Sequence, residues 1–489
     1  MEKLNRKMSD DFILYPEKIL QFGEGNFLRA FVDWQIDILN KETDFNGSVV
    51  VVQPRGSDKI ARLNNQDGLF TLYLQGLKDG KAVSEHMVIN SISRGIHLAD
   101  HYNQYIELAE SKDLRFVISN TTEAGIYFEE SDKLDDRPQK SFPGKLAAFL
   151  YHRFKAFNGD DQKGCIMIPT ELIEGNGTKL KEIILQFASL WNLGDAFVNW
   201  ICEANTFCNS LVDRIVPGFP KDSVQEITEE LGYEDELLVV GEQYHQWVIE
   251  GPKWIEKEFP IDKVNLNTFF VDDLNPYRVQ KVRILNGAHT AMMPVAYLSG
   301  LDTVAEAVCD EVVGEFVQEL IFDEILPTLD FSQGELRIFA NDVLNRFRNP
   351  FIKHYLISIS MNSISKFKTR NLPTLLDYVE TKKELPRKMI FALSSLLYFY
   401  QGKRNEEVIP LADDTDVLQL FKELWGHVTE GTKTIEQFVK EVLSHEKLWG
   451  MNLNHIAGLT VMVAEYLQQL NQKGMKQALE TLVKERSVK

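Results

Sequence analysis

Four consecutive valines, Val49 to Val52, follow Gly47-Ser48 and end at Gln53-Pro54. A β-branched run with no polar alternation is a strand buried on both faces, and such strands belong to parallel sheets covered by helices above and below. Similar runs recur at residues 18–23 (KILQFG), 114–120 (LRFVISN) and 164–172 (GCIMIPTEL), each closing in glycine or polar residues. Between the first two runs, residues 26–40 (NFLRAFVDWQIDILN) set Phe27, Phe31, Trp34, Ile38 and Leu39 on one side of an amphipathic helix. The alternation predicts a Rossmann-type, doubly wound α/β domain, whose ligands sit beyond the carboxyl ends of the strands.

From about Val279 the texture changes. Residues 304–326, 417–428 and 455–470 are successive helical patterns, and strand-like runs become scarce. The second part is therefore read as all-helical, with a boundary in the polar stretch Asp272-Asp273-Leu274-Asn275-Pro276. This gives a first domain over 1–275 and a second over 276–489, as expected when 489 residues exceed a single core.

The formal net charge is −19, which repels phosphate backbones and anionic lipid, so neither nucleic acid nor membrane is expected as a partner. An anionic small molecule would need a local basic pocket to offset that field. Cys165, Cys202, Cys208 and Cys309 form no CxxC pair and show no zinc spacing, so no metal is expected and a reducing compartment is. The N-terminal segment is charged and lacks an apolar leader, and the most apolar stretch, residues 389–400, is shorter than the ~20 residues that span a bilayer. A cytoplasmic setting follows. Oligomeric state is not legible.

Two segments carry chemistry. In GEGNFLRA, Gly23 and Gly25 stand between a strand and a helix, where glycines permit a tight turn and close approach of backbone to a pyrophosphate drawn to the helix N-terminus. The third glycine of GxGxxG is replaced by Leu28, and a purely structural turn is the alternative. The end of the second strand offers Gln53, Arg55 and Asp58 where an acid usually holds the ribose; Arg55 would suit a 2′-phosphate, so the local residues leave NAD or NADP open. In KVRILNGAHTAMMP, Lys281, Asn286 and His289 fall at about 0°, 140° and 80° on a helix turning about 100° per residue, hence on one face. A lysine, an amide and an imidazole together supply what carbonyl reduction needs: a proton donor, a donor to the developing alkoxide and a holder of a neighbouring hydroxyl. An ordinary helix with a surface lysine is the alternative. His86, His97, His101, His152, His354 and His455 show no ligand spacing.

Here the chain resembles the polyol-specific long-chain dehydrogenases, typified by mannitol dehydrogenase. Lys281, Asn286 and His289 match that family's K-x4-N-x2-H signature residue for residue. GEGNFLRA is similar to its GxGNFHRA turn, SNTTEAG (119–125) to its TxTE-x-G segment beside the nicotinamide, and NSLVDRIVP (209–217) and EQYHQWVIE (242–250) to MVDRITP and EPFxxWVIE. RFRNP (346–350) corresponds to its RFxNP. The resemblance implies an oxidoreductase using NAD, with the site in the cleft between the two domains. It implies Lys281 as general acid and base, assisted by Asn286 and His289. It implies cofactor contacts from Phe22, Gly23, Glu24, Gly25, Asn26, Phe27, Thr121, Thr122 and Glu123, and substrate contacts from Asp213, Lys366 and Arg370.

Within the family, residues 19–40 resemble the members that act on open-chain sugar acids, so the expected reaction interconverts D-tagaturonate and D-altronate. Mannitol-type members carry SCDN, whose asparagine is a second donor to the substrate oxygen; here Pro169-Thr170-Glu171-Leu172 places a leucine there. Arg278 stands where those members have an acid, able to bring Lys281 down towards neutral pH or to attract a carboxylate. Arg283, Lys366, Lys368 and Arg370 are the cations available for a substrate carboxylate. Fructuronate/mannonate or a mannitol-type polyol is the alternative substrate, and a non-catalytic NAD-binding sensor the alternative class.

Overall fold

In a computed structural model describing residues 1–9, 11–53, 58–78 and 80–484, the chain separates into two compact units. One takes residues up to Lys78 and Val83–Leu274; the other begins at Asn275 and includes residues 80–82.

The valine run is a strand, Ser48–Gln53, buried at every residue. Counting only the strands of its sheet, β1 is Glu17–Phe22, β2 Ser48–Gln53, β3 Ile92–His97, β4 Phe116–Ser119, β5 Ile166–Pro169 and β6 Thr206–Phe207. They lie in the order β3-β2-β1-β4-β5-β6, every neighbouring pair parallel. The two halves wind away from β1 and β4 in opposite directions, which opens a crevice at their carboxyl ends. Alternate residues feed two cores. Ile19, Val49, Val51 and Ile118 face one, with Phe31 and Trp34 of the first helix; Leu20, Phe22, Val50, Val52 and Val117 face the other, with Phe149 and Phe187 of Phe142–Ala156 and Asn176–Leu190. Each side chain so buried stabilises the fold by roughly 1.5–3 kcal/mol, which is why the valines tolerate no polar alternation.

Among the described residues, six further strands lie wholly or mostly in this unit. Phe70–Lys78 pairs in parallel with Val239–Glu242 and lies beside Lys81–Ile89. Gln246–Glu250 is flanked by Thr268–Val271 in parallel and Asn209–Asp213 antiparallel. They add Leu72, Val239, Trp247 and Ile249 to the first core.

The second unit is built of helices, with one local correction to an all-helical reading: Lys403–Arg404 and Glu407–Val408 pair antiparallel around Asn405, whose φ is 55°. The helical pattern at 304–326 is three pieces, Val304–Cys309, Glu311–Glu319 and a π-helical Leu320–Ile325. The break is at Asp310, whose extended backbone lets its carboxylate accept the N–H groups of Val312 and Val313. The apolar stretch at 389–400 becomes Arg387–Phe399, a core helix packed against Leu459–Lys473. Among the described residues, no helix is long and apolar enough to cross a membrane.

Candidate active site

The first unit places the glycine turn at the carboxyl end of β1. Gly23 has φ +122°, and a Cβ there would stand 3.0 Å from both Asn120 O and Leu28 Cδ1, so only glycine fits. Gly25 differs: it begins the helix over 26–42 with no side-chain cap, and a Cβ there would meet nothing within 4 Å. Glycine offers no side chain to cap the first-turn N–H groups of that helix, and a helix N-terminus is where such groups can meet an anion. The turn borders a cavity of about 530 Å³ lined by Glu24, Gly25, Asn26, Arg29, Lys59 and Arg62 among others. In it the Glu24 carboxylate accepts from Lys59 Nζ (3.2 Å) and Gln53 Nε2 (3.4 Å). Asn26 accepts from Arg29 (2.7 Å), and Phe27 stacks on Phe31 at 4.9 Å. The Phe22 ring is buried against Phe142 and Tyr105, so Phe22 offers a ligand only its backbone. Arg55 and the Asp58 side chain lie outside the described residues. An acid that can meet a ribose is instead Glu24, inside the turn itself. Burial lowers Arg29 to about 10 and raises Asp33, about one turn further on, to about 7.

The second loop follows β4. Thr122 has φ +72°, an outlying conformation for a β-branched residue that costs about 1–3 kcal/mol. A Cβ on Gly125 would stand 2.0 Å from Thr121 Oγ1, so the loop closes only on glycine. What holds it is Glu171, at the end of β5. The Glu171 carboxylate accepts Thr121 N–H (2.8 Å), Thr121 Oγ1 (2.9 Å) and Ser119 Oγ (3.0 Å). Asn120 donates to Thr170 O and Oγ1 beside it. Thr122 and Glu123 are exposed, and Leu172 is 59% exposed at the same edge. Glu171 escaped sequence reasoning because its partners lie about fifty residues away, a contact with no local periodicity. Asp213 is buried at the end of its strand; neighbouring Arg214 donates to the carbonyls of Ala30, Glu242 and Gln243 and stacks 4.1 Å over Trp34.

In the second unit the lysine signature lies on a mixed helix: Asn275–Gln280 is α, Lys281–Asn286 is π and Gly287–Leu298 is α again. The structure corrects the uniform turn of about 100° per residue. A π-turn closes i to i+5, and Gly287 N–H reaches Val282 O, so Asn286 comes round beneath Lys281 more closely than an α-helix would bring it. K-x4-N is a π-helical spacing. Lys281, Asn286 and His289 are each half-buried. The His289 ring packs at 4.2 Å on Phe347 and 5.0 Å from His354, which burial holds below the usual histidine range.

The helix Ser363–Arg370 crosses this segment. Arg370 Nη1 donates to Thr290 Oγ1 (3.2 Å), and Asn371 Nδ2 to Gly287 O (2.9 Å). Lys366 Nζ donates to Ile359 O at 2.8 Å. Burial, then the nearby Arg370 charge, lowers Lys366, with Asp413 opposing; burial lowers Arg370. Two partly desolvated cations one turn apart favour an anion. Arg283 is instead engaged by Asp377 (2.8 Å) and Thr374, and the Lys368 stem lies against Gly450. Among the described residues, no group of three or more His, Cys, Asp or Glu could hold a metal ion.

Comparison with known proteins gives a consistent picture. Residues 17–263 match the family described as Mannitol dehydrogenase Rossmann domain, and 273–471 match Mannitol dehydrogenase C-terminal domain. The chain is 61% identical over 480 residues to Altronate oxidoreductase of Bacillus subtilis (strain 168), covering 98% of each chain. To Altronate oxidoreductase of Cronobacter sakazakii (strain ATCC BAA-894) it is 47% identical over 485 residues, covering 99% of this chain and 100% of that one. Among solved structures, D-sorbitol dehydrogenase in substrate-free form has a similar fold, with a TM-score of 0.81 at 21% identity over 98% of this chain and 100% of that one. The Pseudomonas fluorescens mannitol 2-dehydrogenase ternary complex with NAD and D-mannitol gives a TM-score of 0.67 at 23% identity over 99% of each.

Proposed function

The chain belongs to the mannitol dehydrogenase family and is an oxidoreductase of a sugar acid or polyol, and we propose that it interconverts D-tagaturonate and D-altronate with NAD. The residues present fit that cofactor: a turn where Gly23 must be glycine, open space above Gly25, uncapped helix N–H groups, and an acid, Glu24, in the adjoining cavity. Glu24 would accept from a ribose hydroxyl and repel a 2′-phosphate, which favours NAD over NADP. Thr121, Thr122 and Glu123 border the nicotinamide on this reading, with Phe27 and Asn26 framing the turn.

When bound, NADH supplies the hydride that the ketone carbon takes up. The oxygen left carrying charge receives a proton from Lys281, giving a secondary alcohol and a neutral amine. Asn286 donates its amide N–H to the same oxygen as charge builds there. His289 holds a neighbouring hydroxyl, and Asp213 accepts from another. Oxidation of altronate runs the same proton back from the hydroxyl to the neutral amine.

The observation that carries the sugar-acid reading is the Lys366–Arg370 pair, a local basic site in a chain of net charge −19. The name of the 61% identical relative, Altronate oxidoreductase, supports the same substrate. Leu172, exposed and unable to donate, argues against a mannitol-type polyol, whose enzymes carry a second amide at the corresponding position. Four free cysteines suit a reducing, cytoplasmic setting. The test is NADH consumption with tagaturonate, fructuronate and fructose side by side. Tagaturonate is expected to give the highest kcat/KM; a preference for fructose would overturn the carboxylate reading.

A further inference from the structure

Glu171 takes no part in the proton transfer, yet it is 1% exposed, and burying a carboxylate is costly unless its oxygens are well supplied with donors. Here both are. Oε1 accepts the Thr121 N–H and hydroxyl, and Oε2 accepts the Ser119 hydroxyl. Burial raises its pKa, and the Thr121 and Ser119 bonds work against that rise. Every one of these donors belongs to β4 or the loop after it, and that loop holds Thr122 in a left-handed conformation it does not favour. An apolar residue of the same size would take the acceptor from the part-buried Thr121 N–H and leave nothing to hold the strained turn.

We propose that Glu171 is a positioning residue: through three hydrogen bonds it fixes the Thr121–Glu123 loop in the one conformation that presents it to the nicotinamide. This rests on the functional reading above, which puts that loop beside the cofactor's reactive end. The role is hydrogen-bond acceptance and not charge. Glutamine can reproduce it, with its oxygen turned to Thr121 and its NH2 turned to Ser119, whose hydroxyl rotates to accept. Leucine cannot.

The experiment measures kcat, NADH dissociation constant by fluorescence titration, and melting temperature for the parent, Glu171→Gln and Glu171→Leu. Misplacing a reacting partner by about an ångström costs up to about 100-fold, so Glu171→Leu should lose about 10–100-fold in kcat. Its NADH affinity should stay within about threefold, because the glycine turn makes the pyrophosphate contacts elsewhere. Glu171→Gln should recover kcat to within about threefold of the parent, the split between kcat and affinity remaining the mark of positioning. A leucine variant with parental kcat overturns the inference, as does one whose affinity and kcat fall together. A glutamine variant as poor as leucine overturns the hydrogen-bond role. Should Glu171→Leu not fold, Ser119→Ala removes one bond of the three and should lower kcat a few-fold at unchanged NADH affinity; unchanged kcat overturns the proposal. If the parent itself neither binds NADH nor reduces any of the three substrates, the functional reading has failed, a result distinct from all of these.

Discussion

Gly25 has room for a side chain in the folded chain, and that makes it a clean probe of what lies above the turn. Gly25→Val fits the backbone and meets open space. It should therefore leave the melting temperature nearly unchanged while raising KM for NADH about tenfold or more, since the branched side chain occupies the pyrophosphate's place. An unchanged KM would reduce the turn to a structural one. Lys366 probes the substrate in the same way. Lys366→Met should lower kcat/KM for the uronate by about 10–100-fold, ~1.4–2.7 kcal/mol, and alter activity on an uncharged ketose far less. Equal losses on both would make Lys366 structural. At this scale the sequence exposed the residues that lie close together along the chain, Gly23 and Gly25 or Lys281, Asn286 and His289. It hid Glu171, whose meaning comes from Ser119 and Thr121 across two strands.

Elements divide along the same line. The valine run predicted a strand buried on both faces, and its alternation with helices predicted a doubly wound parallel sheet but not the order of the strands, which is set by contacts far apart in the chain. The strand Lys81–Ile89 had no such signature: residues 81–88 are largely exposed, so no core pattern marks them. The π-turn at Lys281–Asn286 was invisible because a periodicity argument assumes a uniform helix, whereas here the extra residue per turn brings the amide beneath the lysine. A comparable device supports the core helix Arg387–Phe399, whose N-terminus lacks a cap of its own. The Glu324 carboxylate accepts the N–H groups of Lys388 and Met389, both at 2.8 Å, across sixty-odd residues of chain. Glu324→Ala should destabilise the protein by about 1–2 kcal/mol, the usual cost of losing an N-cap, seen as a lower denaturant midpoint. No change in the midpoint would mean that packing alone fixes that helix.

For the whole molecule, charge and pH set the conditions under which site and fold work. His245 joins two strands of the first unit: its Nε2 accepts the Asn267 N–H at 2.9 Å, and its carbonyl accepts the Asn267 side chain. Burial, reinforced by Arg214, pushes its pKa down to about 3. The unfolded chain takes up a proton near pH 6.5 that the folded chain refuses until about 3, so this contribution to stability is present above 6.5 and lost as pH falls through that window. His245→Gln, which keeps an acceptor but cannot titrate, should flatten the acid limb of the melting curve; an unaltered limb would assign it to other groups. The central claim, however, is chemical: Lys281 carries the proton that accompanies hydride transfer. Its most direct test is the pH–rate profile of folded Lys281→Ala beside the parent, with tagaturonate reduced and altronate oxidised. A positioned acid or base contributes about 10²–10⁴-fold, so kcat should fall by that factor, the parent's basic ionisation should vanish from the oxidation profile, and NADH should still bind. A variant within threefold of the parent and titrating identically would contradict the account.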